Sequence, residues 1–327
     1  MIIKEIPLVE NNDLSGKIEQ DHYKEIIVCL FDGHYHLGAA AFINSVVACG
    51  FTGLIYVGYR GLLPPWVNLF GQLAEHQYNI SPGVVAEFKE VDTFMHLGYY
   101  KPFFINDAFE RFTLTNKFYY FDVDIIIKAP WTFYSEWLKN SPCLCLDNSF
   151  PFIHHTHPWR KQWKLLASPE EEIAQNNIDY YFNSGFLGIE RKSSVLIDRW
   201  INLTERYKEI GGDLNRFIKN SYSSLKGDQD LLNAAITISP NIEVSIIGQE
   251  GMGFTYPVTL MEHAIGDDKP WKNRFIKQLI VSGHKPNAAE KSFFLHCDHP
   301  IHIFPNYKYR LKKYDLLISS FFGRVLG

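Results

Sequence analysis

The stretch "KFYYFDVDIII", Lys117–Ile127, decides how the chain is read. Its aromatic and β-branched residues mark a strand buried on both faces. Yet it carries two carboxylates, Asp122 and Asp124. Such groups are costly in a core strand unless paired, protonated or bound to a metal. At a period of two they share one side, where they repel unless a cation lies between them. Hard divalent ions such as Mg²⁺ or Mn²⁺ prefer oxygen ligands and often bridge to substrate phosphates. The bland alternative is an acidic turn. The flanks "FYYF" and "IIIKAP" argue for a core strand and therefore for metal ligation.

Outward from this stretch, short apolar runs alternate with amphipathic ones. "EIIVCLF" (25–31), "TGLIYVGY" (52–59) and "GVVAEFKEV" (83–91) read as strands. Helices are expected through "LGAAAFINSVVACG", after Pro64–Pro65 and in "PFFINDAFERF" (102–112). Further strands are expected in "PCLCLD" (142–147), "YYFNSGFLGIE" (180–190) and "IEVSIIG" (242–248), with a helix in "SVLIDRWINLTERYKEI". "GDQDLLNAAIT" reads as a helix start, with Asp228 or Asp230 near the cap. The βαβα alternation predicts an α/β fold with a mostly parallel sheet flanked by helices. The part after about Asn287 reads as irregular, so the chain divides into 1–286 and a C-terminal extension, 287–327.

Composition fits this reading. The chain has 327 residues, 46% hydrophobic, enough for one large domain or one with a small appendage. A net charge of −4 gives no general signal for nucleic acid. The N-terminus lacks a signal-peptide pattern, and no apolar run is long enough to span a bilayer. Five cysteines, an odd number in apolar segments, suit reduced thiols in a cytoplasmic protein. Cys143 and Cys145 read as core packing.

In open α/β sheets, ligands sit beyond the carboxyl ends of the strands. Asp32, Asp122–Asp124 and Asn183–Ser184–Gly185 all fall at expected strand ends and can converge on one crevice.

"FYYFDVDIII" resembles the D-x-D strand of nucleotide-sugar-dependent glycosyltransferases with the GT-A fold. "HAIGDDKPW" (His263–Trp271) has the H-x-x-G-x-x-K-P-W form of glycosyltransferase family eight, the glycogenin and bacterial lipopolysaccharide galactosyltransferase type. "FNSGFLGI" (182–189) and "DQDLLN" (228–233) complete four matches in order over roughly residues 25–275.

The resemblance implies a UDP-sugar donor and Mn²⁺ or Mg²⁺. It assigns the metal to Asp122, Asp124 and His263, with Val123 between the acids at the donor. Lys269 would add positive charge on the diphosphate, and Gly266 would let the backbone approach it. In "LFDGHYHLG", Asp32 would accept the uracil imide N–H and Tyr35 would stack on the ring. Asn183 and Asp228 would hold sugar hydroxyls. Gln229 would lie near the anomeric carbon, with Asp230 beside it, and Asp147 is a further sugar contact. Lys101 reads as a donor contact at a helix entry or as a solvated lysine. Asp32, Asp228 and Asp230 have helix capping as their plain alternative. His284 and His296 rival His263 as the metal ligand. His154, His155 and His157 line an acceptor pocket or a solvated loop.

The tail 307–327 interleaves Lys308, Arg310, Lys312, Lys313 and Arg324 with aromatic residues. It reads as an interfacial anchor on anionic lipid or as a helix packed on the domain. The expected activity is transfer of a hexose to a glycan or lipid-linked saccharide, with retained configuration if the family mechanism holds. Inversion stays open, with Asp147, Asp228 and Asp230 as candidate bases. A sugar nucleotidyltransferase and a non-catalytic glycan-binding scaffold are the rival readings.

Overall fold

The computed structural model describes residues 23–139, 141–167, 176–217 and 224–325. The N-terminal stretch read for an export signal and the last two residues of the basic-aromatic tail lie outside the described residues.

Strand β1 (Glu25–Asp32) pairs in parallel with β2 (Gly53–Arg60), with helix α1 (His36–Ala48) between them in sequence. The Pro64–Pro65 segment differs from expectation. In place of a helix it leads through a single turn into a hairpin, β3 (Gly71–Ala74) and β4 (Gln77–Ser81). Buried Tyr78 and Ile80 flank exposed Asn79, so a period of two prevails over the helix-compatible prolines. Strand β5 (Val84–Glu90) returns parallel to β2.

Helix α2 (Leu97–Arg111) begins five residues before the expected start because His96 Nδ1 accepts from Gly98 N and caps it. Lys101 therefore lies inside the helix rather than at its entry. Strand β6 (Lys117–Phe121) follows, parallel to β1. Tyr119 and Phe121 face one core and Phe118 and Tyr120 the other, as a doubly covered strand requires.

The opening stretch is not one strand. It breaks at Asp122–Asp124, and β7 (Ile125–Ile127) leaves the main sheet. Helix α3 (Trp131–Trp137), β8 (Cys143–Cys145) and α4 (Pro158–Leu166) follow. Strand β9 (Phe186–Glu190) runs antiparallel to β6 and β8. Asn183–Gly185 thus precede the amino end of β9 rather than ending a strand, yet they stand at the same sheet edge as Asp122. Helices α5 (Val195–Glu209) and α6 (Asp228–Thr237) cover the sheet. Strand β10 (Ser245–Ile247) pairs with β8. Strand β11 (Met261–His263) pairs with β7. Among the described residues the main sheet has nine strands, ordered β10-β8-β9-β6-β1-β2-β5-β4-β3.

The chain after Asn287 is helical, not irregular. Helices α7 (Phe275–Ser282), α8 (Ala288–Leu295) and α9 (Asn306–Val325) close the described chain. Asn287 and Glu290 form a reciprocal capping box that starts α8. Asn44 of α1 bonds the carbonyls of His296 and Ile301 and the amide of Ile301. All five cysteines are free thiols.

Candidate active site

A cleft of about 290 Å³ opens at the carboxyl edge of β1 and β6. Asp122 begins a tight turn. Its amide donates to Gly185 O, and Ile125 N returns to Asp122 O. The turn frees the carboxylates from the sheet while keeping both on one side. Opposite them, the β7–β11 pairing sets His263 against Ile125, and Ala264 N bonds Asp124 O.

Asp122, Asp124 and His263 offer one ligand atom each, all within 4.8 Å of one another. His263 Nε2 is 3.2 Å from Asp124 Oδ1. Its Nδ1 is buried without a hydrogen-bond partner among the described residues, which a buried ring nitrogen rarely tolerates. A Cβ on Gly185 would stand 2.6 Å from His263 Cε1 and 2.9 Å from Asn183 Oδ1, so this position needs glycine for close approach. Two carboxylates and an imidazole suit Mn²⁺ or Mg²⁺, and the residues present fit such an ion.

Two buried ammonium groups face the same acids. Lys269 Nζ is 2.5 Å from Asp124 Oδ2 and 2.7 Å from Ala264 O. Lys101 Nζ lies 3.0 Å from Asp122 Oδ1 and 2.8 Å from Asp228 Oδ2, and donates to Ser184. Burial by itself would raise the Asp124 carboxyl, but His263 and Lys269 hold it well below the usual carboxylate range. Burial likewise opposes the Lys101 charge, and Asp122 and Asp228 overcome it, raising the ammonium above its ordinary value. Asp228 is lowered, because Lys101 and Ser184 outweigh its burial.

The sugar-side candidates form one network. Asp147 Oδ1 accepts from Asn183 Nδ2 at 3.2 Å and Gln229 Nε2 at 3.0 Å. Its Oδ2 accepts from Ser149 N and Phe150 N. Gln229 Oε1 accepts from Ser184 N. Asp230 turns away from the cleft. It accepts from Tyr181 Oη at 2.7 Å and Lys226 N at 2.6 Å, and burial raises its carboxyl to about 6. Neither Asp228 nor Asp230 is the cap residue, since Gly227 precedes the helix.

At the other end of the cleft, Tyr35 stands edge-on to Trp271, ring centroids 5.3 Å apart. Val123 is buried in the cleft wall, and Gly266 adopts φ +89°, a left-handed turn that favours glycine. Asp32 does not stand alone. Arg60 Nη2 is 2.6 Å from its Oδ2.

The rival histidines lie elsewhere. His284 pairs with Glu290, and His296 terminates α8. His157 caps α4, while His154, His155 and Asp179 form a separate cluster, and none of these histidines lines the cleft. Sequence reasoning missed Arg60, Tyr120 and His96. Tyr120 donates to Asp122 Oδ1 at 2.9 Å, and His96 lines the cleft. The signal for Arg60 was its place at the carboxyl end of the strand beside β1.

No protein-family model and no curated protein sequence matches the chain. Solved structures do. The bifunctional glycosyltransferase WbbM, in its apo form, is similar over 89% of this chain, at 17% identity and a TM-score of 0.53. The galactosyltransferase LgtC, in complex with donor and acceptor sugar analogs, is similar over 88% of this chain and 99% of its own, at 16% identity and a TM-score of 0.50. The chain has the GT-A fold. The glycosyltransferase GlyE of Streptococcus pneumoniae gives 16% identity over 91% of this chain, with a TM-score of 0.50. The chain spans 52% of WbbM and 64% of GlyE. At these identities the likeness concerns the GT-A fold alone, and the chemistry must come from the side chains.

Proposed function

We propose that this GT-A chain is a divalent-metal-dependent glycosyltransferase that moves a hexose from a UDP-sugar to a glycan or lipid-linked saccharide. The observation that carries the reading is the cluster of Asp122, Asp124 and His263, ringed by Lys101 and Lys269, at the edge where α/β sheets bind ligands. Asp122, Asp124 and His263 would hold the ion, which supplies Lewis-acid neutralisation of a leaving diphosphate. Lys269, on the Asp124 side, is placed to add a second positive charge to that diphosphate. Lys101 and Ser184 orient Asp228, and Asp147 orients Asn183 and Gln229, so the sugar-side groups are held before the donor arrives.

Retention is favoured by the carboxylates themselves. Asp228 is tied to Lys101 and Ser184, Asp147 accepts four hydrogen bonds, and Asp230 faces Tyr181. An inverting enzyme needs a base that takes the acceptor's proton, and these three candidate carboxylates are engaged elsewhere. Front-side attack, with the leaving phosphate taking that proton, then retains configuration.

The basic-aromatic helix α9 supports a lipid-linked acceptor. Tyr307, Leu311, Tyr314, Ile318, Phe321 and Phe322 are exposed beside Lys308, Arg310, Lys313 and Arg324. That is the composition of an interfacial helix, and among the described residues no helix is long and apolar enough to cross a membrane. We place the enzyme at the cytoplasmic face of a membrane, extending a surface glycan. The test is turnover of a UDP-sugar panel with Mn²⁺ against a panel of lipid-linked saccharides, with product NMR. A switched anomeric configuration would exclude retention. Pyrophosphate release from a sugar phosphate and nucleoside triphosphate would favour a nucleotidyltransferase, and donor binding without turnover a scaffold.

A further inference from the structure

The histidine-rich loop between β8 and α4 has no part in the reading above. It runs against the segment that leads into β9, and the two are laced into a ribbon. Asp147 N donates to Tyr181 O, Tyr181 N to Pro151 O and Ile153 N to Asp179 O. Arg160 of α4 is fully buried beneath them. It donates from Nε to Ile153 O at 2.8 Å and from Nη2 to Tyr180 O at 2.6 Å, so one guanidinium grips both sides of the ribbon. Asp147 and Asn183 stand at the end joined to the cleft-side network. His154, His155 and Asp179 stand at the other end, and none of them lines the cleft.

These three side chains offer one ligand atom each, all within 4.8 Å of one another. Among the described residues, only they and the trio Asp122, Asp124 and His263 form such a group. His155 Nδ1 is 2.8 Å from Asp179 Oδ1. Two ligands about 2 Å from one zinc ion leave a gap of about 3 Å between them. Asp179 Oδ1 also accepts from His155 N at 2.5 Å, which fixes the carboxylate against the loop. The His154 and His155 rings lie 4.1 Å apart, centroid to centroid. Thr156 Oγ1, 2.8 Å from His154 Nδ1, orients the first ring, as the outer partners of metal-bound histidines do. His157 takes no part, because its Nδ1 caps α4.

We propose that His154, His155 and Asp179 form a second metal site, separate from the D-x-D cluster, that takes a transition-metal dication of the zinc type. Two imidazoles and one carboxylate make a nitrogen-rich set that suits Zn²⁺, whereas Mg²⁺ prefers oxygen. The proportions are reversed at Asp122, Asp124 and His263, so the two clusters select different ions. All three side chains reach solvent, so an ion can enter. Three protein ligands leave a fourth tetrahedral position to water or an outside group. Such an ion ties residues 154–155 to Asp179 and braces the ribbon from the end opposite Asp147 and Asn183. The site does not depend on the transferase reading.

The experiment is calorimetric titration of Zn²⁺, in excess Mg²⁺, into the untagged full chain and into His154→Ala, His155→Ala and Asp179→Asn. Melting temperatures without Zn²⁺ check folding, and His154 is exposed, so its replacement bears least on the fold. The native chain is expected to bind Zn²⁺ despite the Mg²⁺ and to melt at a higher temperature with it, since an ion that binds only the native state stabilises that state. Each substitution should weaken this binding by at least about tenfold and shrink the melting shift. Asp179→Asn keeps an oxygen acceptor for His155 N, so a clasp with no metal role would leave Zn²⁺ affinity unchanged. Asp122→Asn/Asp124→Asn, where folded, should retain the binding. No Zn²⁺ binding in excess Mg²⁺, or binding that survives His154→Ala and His155→Ala, would overturn the inference. So would its loss in the folded Asp122→Asn/Asp124→Asn chain.

Discussion

Lys101 Nζ stands 2.8 Å from Asp228 Oδ2 and 3.0 Å from Asp122 Oδ1, so one buried ammonium joins the D-x-D turn to the start of α6. The Lys101 and Asp228 side chains are 6% and 8% exposed, which makes each partner's charge costly alone.

Lys101→Met should therefore destabilise strongly. It leaves Asp228 buried without its counter-charge, a loss of about 3–5 kcal/mol. Urea unfolding of the variant checks this. The double variant Lys101→Met with Asp228→Asn should recover much of the stability without recovering transfer.

Asp230 gives a prediction with a definite sign in pH. Burial raises its native carboxyl to about 6 from the ordinary 3.8. Between those values the native state holds the proton more tightly than the unfolded chain, so stability falls as pH rises through the window. The contribution is fully present below the ordinary carboxyl value and is lost above about 6. It amounts to about 3 kcal/mol at most. Asp230→Asn removes this leg. The stability difference, native minus variant, should decrease between about pH 4 and about pH 7. A flat difference would refute the assignment.

Gly185→Ala should act through the metal cluster. The added methyl meets His263 and the Asn183 side chain within contact distance. Displacing an imidazole ligand or its neighbours lowers metal affinity by about 10- to 100-fold. Mn²⁺ titration of the folded variant reads this directly, and unchanged affinity would show that His263 is not a ligand.

How much of this was legible in the chain? The sheet core was, because doubly buried strands such as "EIIVCLF" and "FYYF" are apolar on both faces. The D-x-D break was not. A two-residue period describes Asp122 and Asp124 whether they stay in a strand or turn out of one, and what decides it is the pairing of β7 with β11, far downstream. The hairpin after Pro64–Pro65 was misread because proline also suits a helix start. The alternation in "QYNIS" was the stronger signal. Asn287–Glu290 spells a capping box that starts α8, and the reading of this part as irregular passed over it. Arg60 was hidden for another reason. Its partner is set by strand register, which one strand's sequence does not reveal.

The membrane reading has its own measurement. Lys308 and Lys313 are exposed on α9 beside its apolar residues. Replacing both with glutamine should weaken binding to phosphatidylserine vesicles by about 30-fold. Turnover on a water-soluble acceptor should stay unchanged. Vesicle binding that is unaffected by the change would assign α9 a packing role alone.

The central claim is that Asp122, Asp124 and His263 hold a divalent ion beneath a sugar diphosphate. The most direct measurement is calorimetric titration of UDP into the chain with Mn²⁺, with EDTA, and in the Asp122→Ala/Asp124→Ala variant. The account predicts binding with Mn²⁺, and its loss both on chelation and in the folded variant. UDP binding that survives chelation and the double substitution would mean that these acids serve something else.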